Sequence, residues 1–314
     1  MYLQHFRLKE LPFSITPDTA FFMNRSGYRD ALNVMKVALD MGEGFLKVTG
    51  EVGTGKTLLC RSLINNLGEE YVTAYVPNPY LTPESLFLTI ADELGIRYMP
   101  NIKQHALLKR ITWSLLKMRK EGRRVVLCLD EAQAMPIETL ETLRLLTNLE
   151  TEKRKLIQVI LFGQPELDDV LAEPSIRQLR QRITFSYTLT PLNRDAMKRY
   201  LDHRLSVAGY MDGDMFDEDA LELLFIASRG IPRLVNILAH KAMIVAYGIG
   251  DLIVTRKHMR VSIEDTDDAR RWHQKSARKR DRIIRWAYGT FGTFALISLV
   301  IFGVNSPDVM ALIK

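Results

Sequence analysis

Two hydrophobic periods alternate along the first 190 residues. Five short apolar runs recur: "GFLKVTG" (Gly44–Gly50), "YVTAYVPNP" (Tyr71–Pro79), "RRVVLCLDEAQ" (Arg123–Gln133), "KLIQVILFGQPEL" (Lys155–Leu167) and "RITFSYTLTPL" (Arg182–Leu192). Runs this short, rich in β-branched residues and stopped by glycine or proline, predict strands. Helical periods separate them. In "TLLCRSLINNL" (Thr57–Leu67), residues Leu59, Cys60, Leu63, Ile64 and Leu67 share one face. "TPESLFLTIADELG" (Thr82–Gly95) has an N-cap threonine, a proline at the first helical position and a glycine stop. A further helix is predicted at about Gln104–Arg119. Apolar strands alternating with helices predict an α/β fold, a parallel sheet covered on both faces.

After Pro191 the strand signal stops. "RDAMKRYLDHRLSVAG", "DEDALELLFIASRG", "IPRLVNILAHKAMIVAYG" and "TRKHMRVSIED" read as capped helices. The expected organisation is an α/β nucleotide-binding domain over 1–191 and a helical lid over 192–268. A basic segment (269–285), an apolar stretch (286–304) and a short tail (305–314) follow.

The strongest chemical signal is Gly50-Glu51-Val52-Gly53-Thr54-Gly55-Lys56-Thr57, which fits G-x-x-x-x-G-K-[ST]. Glycines let the backbone wrap closely, so successive N–H groups point at phosphate oxygens. Lys56 would reach the β and γ phosphates of ATP, and the Thr57 hydroxyl would ligate Mg²⁺. Leu58 continues the loop into its helix. The required context, a strand before and an amphipathic helix after, is present. The run Val125–Leu129 then delivers Asp130 and Glu131 at its C-terminal end. Asp130 would hold Mg²⁺ through water, and Glu131 would act as general base on the attacking water. Gln164, after the fourth strand, is placed to orient that water. Arg233, in "SRGIPRLVN", begins a helix of the lid and could report the γ-phosphate. Arg177, Arg180 and Arg182 are candidates for a finger entering a neighbouring subunit's site, with Arg180 slightly favoured. The bland alternative for each arginine is a solvated helix end.

Charge changes this picture in one place. The net charge is +6, and Lys275–Arg285 carries six basic residues and one acid, so +5 of it sits there. Cys60 and Cys128 fall inside apolar patterns and are expected as buried free thiols, which suits a reducing compartment. The six histidines show no metal-ligand spacing. The N-terminus has no apolar core of the signal-peptide type.

The set GEVGTGKT, LCLDEAQ, ETLRLLTNLET, LFGQPEL, RQLRQRI, YLDHRLSVAG and SRGIPR resembles the ExeA/GspA family of AAA+ ATPases. The opening "HFRLKELPFSITPDTAFF" matches too, and the resemblance places it near the adenine. It implies an AAA+ core with a five-stranded parallel sheet, a helical lid and ring-like homo-oligomers with sites between subunits. It also implies a role in building a type IV (MSHA-type) pilus or a related secretion apparatus, with the assembly proteins as partners. Some relatives carry a periplasmic peptidoglycan-binding domain; here only Asn305–Lys314 follows the apolar stretch, so that role is not expected.

Trp286–Val304 has no charge over 19 residues. As a helix it would span roughly 28 Å, close to the hydrocarbon thickness. A buried core helix, a partner or membrane-surface helix and a transmembrane helix all compete. Trp286 and Tyr288 at one end, with the basic cluster before them, favour the last. The positive-inside rule then puts the ATPase part on the cytoplasmic face of a bacterial inner membrane, single-pass. The rival is a DNA-binding AAA+ adaptor resembling transposition regulators, with the same cluster on phosphates; nucleic acid is the less favoured partner. A second rival is a nucleotide-gated scaffold with negligible turnover.

Overall fold

The structure is a computed structural model and describes residues 2–16, 21, 26–150 and 155–271. Strands β1 (Phe45–Gly50), β2 (Tyr71–Val76), β3 (Arg124–Leu129), β4 (Ile157–Gly163) and β5 (Ile183–Leu189) form one parallel sheet in the order β2-β3-β4-β1-β5. All five predicted strands are present. Burial follows position in the sheet. Central β4 is buried at every residue, whereas edge strand β5 alternates.

Side chains leave the sheet in two directions, as a pleat requires. Val125, Leu127 and Leu129 enter one core with α4 (Pro83–Glu93), α5 (Gln104–Lys120) and α6 (Ile137–Thr147). Val126 and Cys128 enter the other, with α2 (Ser26–Met41) and α3 (Lys56–Asn65). The Thr82 side chain caps α4 by accepting from the Ser85 N–H at 3.3 Å. Cys60 and Cys128 are both buried and free.

Beyond β4 come two short helices, α7 (Glu166–Ala172) and α8 (Arg177–Arg180). Four more follow β5: α9 (Arg194–Val207), α10 (Glu218–Ser228), α11 (Pro232–Ile249) and α12 (Arg256–Glu264). These last four share a separate apolar core, as their periodicity implied.

One difference from the sequence reading concerns the N-terminus. Helix α1 (Tyr2–His5) and Phe6, Leu8, Phe13 and Phe21 pack into the core of α9–α12, not against the sheet. Beside this apolar burial stands Arg204 of α9, which is only 6% exposed. Its guanidinium donates to the Tyr200 hydroxyl (2.9 Å) and the Ser14 carbonyl (3.3 Å) and lies 4.7 Å from the Phe21 ring centre. A buried cation must be paired or hydrogen-bonded, so these contacts hold the N-terminal segment in place.

Among the described residues no helix is long and apolar enough to cross a membrane. The stretch expected to do so, 286–304, lies outside the described residues, as do the basic cluster 275–285 and the tail 305–314.

Candidate functional site

The strand order 3-4-1 sets the site. Thr49 of β1 pairs with Gly163 of β4, and Leu129 of β3 pairs with Leu161. The C-terminal ends of three adjacent strands therefore deliver Gly50, Asp130–Glu131 and Gln164 to one edge. Ligands of open α/β sheets bind at that edge.

Gly50–Thr57 links β1 to α3 as a tight loop. Gly53 (φ 81°) and Gly55 (φ 97°) lie in the left-handed region, where other residues are strained. A Cβ on Gly55 would sit 1.8 Å from the Tyr28 hydroxyl, and one on Gly53 would meet Arg233 Cβ at 2.6 Å. Tyr28 itself donates to the Thr54 carbonyl. Leu59, Cys60 and Leu63 anchor α3 in the core, so its N-terminus is aimed by packing. Lys56 is buried and donates from Nζ to the carbonyls of Gly50 (2.8 Å) and Glu51 (3.2 Å). Burial lowers its pKa, against the opposing pull of Glu131 and Asp130.

The acids occupy two environments. Asp130, 2% exposed, accepts from the Thr57 hydroxyl at 2.6 Å and from the Tyr75 hydroxyl at 3.4 Å. Burial raises its pKa, more than its hydrogen bonds from Thr57 and Glu131 N–H lower it. Glu131 turns the chain with φ 52° and ψ 38°. Its Oε2 accepts from the side-chain amides of Gln133 (2.6 Å) and Gln164 (3.0 Å). Burial pushes its pKa up, yet these two donors and Lys56 bring it down overall, so it is a carboxylate at neutral pH. An ionised general base is what hydrolysis needs.

The residues fit Mg²⁺ and a nucleoside triphosphate. Thr57 Oγ1 and Asp130 are hard oxygen donors already in contact, and Lys56 Nζ lies against the loop carbonyls. Among the described residues no cluster of three His, Cys, Asp or Glu is present.

A cavity of about 400 Å³ opens over the loop. Val52, Gly53, Gly55, Lys56, Thr57, Leu58 and Glu131 form its floor. Ser14–Thr16, Phe21, Tyr28, Tyr200, Arg204, Asn236 and Arg233 line the rest, with Arg204 against Ser14 and Phe21. The lid touches the floor directly: the Arg233 N–H donates to the Gly53 carbonyl at 3.1 Å. Gly230 (φ 71°) turns α10 into α11, where a Cβ would lie 1.9 Å from the Leu192 carbonyl. Pro232 and Arg233 then begin α11 over the loop. Arg233→Ala is expected to weaken ATP binding about tenfold, the worth of one hydrogen bond to a charged group. Titration with ATP and ADP checks it, because a residue reading the γ-phosphate leaves ADP affinity unchanged.

Gln164 does not line the cavity; it reaches the site through Glu131. Arg177 and Arg180 are exposed on α8, away from this subunit's own cavity. Arg182 donates to Thr147 Oγ1 at 3.2 Å. Five site residues were not singled out in sequence: Tyr28, Gln133, Tyr200, Arg204 and Asn236. Arg204 alone had a readable signal, a cation among Met197, Tyr200, Leu201 and Leu205 on the buried face of α9.

Comparison with known proteins agrees with this geometry. A family described as AAA domain matches residues 39–171. General secretion pathway protein A of Aeromonas hydrophila is 43% identical over 250 residues, which cover 80% of this chain and 46% of that protein. The chain thus spans about half the length of that relative. Among solved structures, Cdc6p from Pyrobaculum aerophilum aligns with a TM-score of 0.62 at 21% identity, covering 79% of this chain and 70% of that one. Drosophila ORC bound to DNA aligns with a TM-score of 0.62 at 18% identity, covering 84% and 65%. At such identities the likeness is one of fold. With its loop, acids and lid arranged as described, the chain carries an AAA domain of P-loop fold and is similar to general secretion pathway protein A.

Proposed function

We propose that this chain hydrolyses ATP at the bacterial inner membrane and uses the cycle to assemble a type IV pilus of the MSHA kind, as MshM would, or a related secretion apparatus. The observation that carries the hydrolytic part is Glu131. It is an ionised carboxylate on the cavity floor, held by two amides beside the Thr57–Asp130 pair. A passive nucleotide-binding site needs no such base.

Each residue then has a task. Backbone N–H groups of the loop and Lys56 bind the β and γ phosphates. Thr57 and Asp130 hold Mg²⁺, which when bound neutralises charge on the phosphate oxygens. Glu131 takes the proton of the attacking water. Gln164 fixes Glu131, and Arg233 closes the lid on the γ-phosphate. Arg180 acts in trans in a homo-oligomeric ring, which its exposed position permits. The secretion-apparatus part rests on the 43% identity to general secretion pathway protein A. The membrane part rests on the sequence, where six basic residues precede 19 uncharged ones.

Fractionation of the full chain against a version ending at Asp268 tests the anchoring. The full chain is expected in the membrane fraction and the shorter one in the soluble fraction. Equal partition of both into membranes would contradict the anchor. Salt-sensitive DNA binding by the full chain, lost in the shorter one, would instead support the adaptor reading.

A further inference from the structure

The 3₁₀ turn after Glu131 (Ala132–Ala134) contains a residue with no task so far. Gln133 is half-buried and absent from the cavity wall. Its Nε2 donates to Glu131 Oε2 at 2.6 Å, and its Oε1 accepts the backbone N–H of Gln164 at 2.9 Å. The Gln164 side chain closes the ring by donating to the same Glu131 oxygen at 3.0 Å. Three residues from two strand ends thus form a closed circuit. A second feature makes room for it: a Cβ on Gly163 would lie 3.2 Å from Gln133 Oε1 and 2.7 Å from a Leu167 methyl. Glycine at the end of β4 lets the amide pass.

We infer that Gln133 is a positioning residue for hydrolysis, bracing Glu131 and Gln164 as one unit behind the nucleotide. This rests on the reading of Glu131 as general base. Both amides hold Oε2, while Oε1 receives no hydrogen bond from the described residues. The carboxylate is therefore fixed by one oxygen, and the other is available to a water on the cavity side. Only a primary amide of this length can do both jobs, since it donates with one atom and accepts with the other. A carboxylate would lose the donor and repel Glu131; an apolar isostere would lose both bonds. The left-handed backbone at Glu131 makes the brace necessary, because that strained conformation persists only where neighbours hold it.

The test compares wild type, Gln133→Met and Gln133→Glu for ATP turnover, ATP affinity and hydrogen exchange of the segment containing the Gln164 amide. For Gln133→Met, kcat is expected to fall about tenfold, ATP affinity to stay within about twofold, and exchange at Gln164 to speed up several-fold. For Gln133→Glu, the acceptor for Gln164 N–H is kept, so exchange stays slow while kcat falls at least as far. Wild-type kcat in either variant overturns the inference, as does an equal loss of kcat and affinity. If Gln133→Met does not fold, Gln133→Glu decides alone. If wild type itself turns over no ATP, the hydrolase reading fails, and unchanged exchange in Gln133→Met still refutes the brace.

Discussion

Lys56→Ala is expected to abolish nucleotide binding. Lys56 is 5% exposed, and its Nζ ends inside the phosphate loop, donating to the Gly50 and Glu51 carbonyls. Those same donors would turn to phosphate oxygens, where each charge-assisted bond is worth about 1.5–3 kcal/mol. Removing them predicts an affinity loss of about a hundredfold or more. The loop itself should survive, because its shape depends on Gly53, Gly55 and the packing of Leu59 and Leu63. Isothermal titration with ATP and a thermal melt of the same sample check both halves. A variant that binds ATP as well as wild type would remove Lys56 from the phosphate site.

Glu131→Gln is expected to separate binding from chemistry. The glutamine keeps the size of the side chain and its place in the turn, and it leaves Lys56, Thr57 and Asp130 untouched. It cannot accept a proton from water. Loss of a general base costs about 10²–10⁴ in rate. ATP affinity should stay close to wild type, or improve, since a negative charge is removed beside the phosphates. Trapped ATP on the isolated variant, read by chromatography after denaturation, is the signature. Recovery of ADP alone would mean that another group serves as base.

Much of the fold was legible because burial writes itself into period. β3 and β4 lie inside the sheet and read as apolar runs, interrupted in β4 by the buried Gln158, whose amide donates to the Leu39 and Glu43 carbonyls. The phosphate loop was legible because glycine at Gly53 and Gly55 answers a backbone demand that few other residues meet. Helix α2 was not predicted although its pattern is helical: Tyr28, Ala31, Leu32, Met35, Ala38 and Leu39 share one buried face, and Gly42 (φ 84°) follows its last residue. The N-terminal packing was hidden because it depends on contacts between residues some 190 positions apart, Arg204 with Pro12 and Ser14. Gln133 was quoted in its motif but not weighed. Its task appears only when β3 and β4 lie side by side and bring Gln164 within 2.9 Å. Arg180 is exposed on α8, and its proposed role concerns a neighbouring subunit's nucleotide.

Phosphate release with Mg²⁺ and ATP, by wild type and by Glu131→Gln in parallel, tests the central claim most directly. Steady release by wild type, with release at least about a hundredfold slower from a Glu131→Gln sample that still holds ATP, is the predicted result. Equal release from both proteins would contradict the assignment of Glu131, and no release from either would contradict hydrolysis as the function of this site.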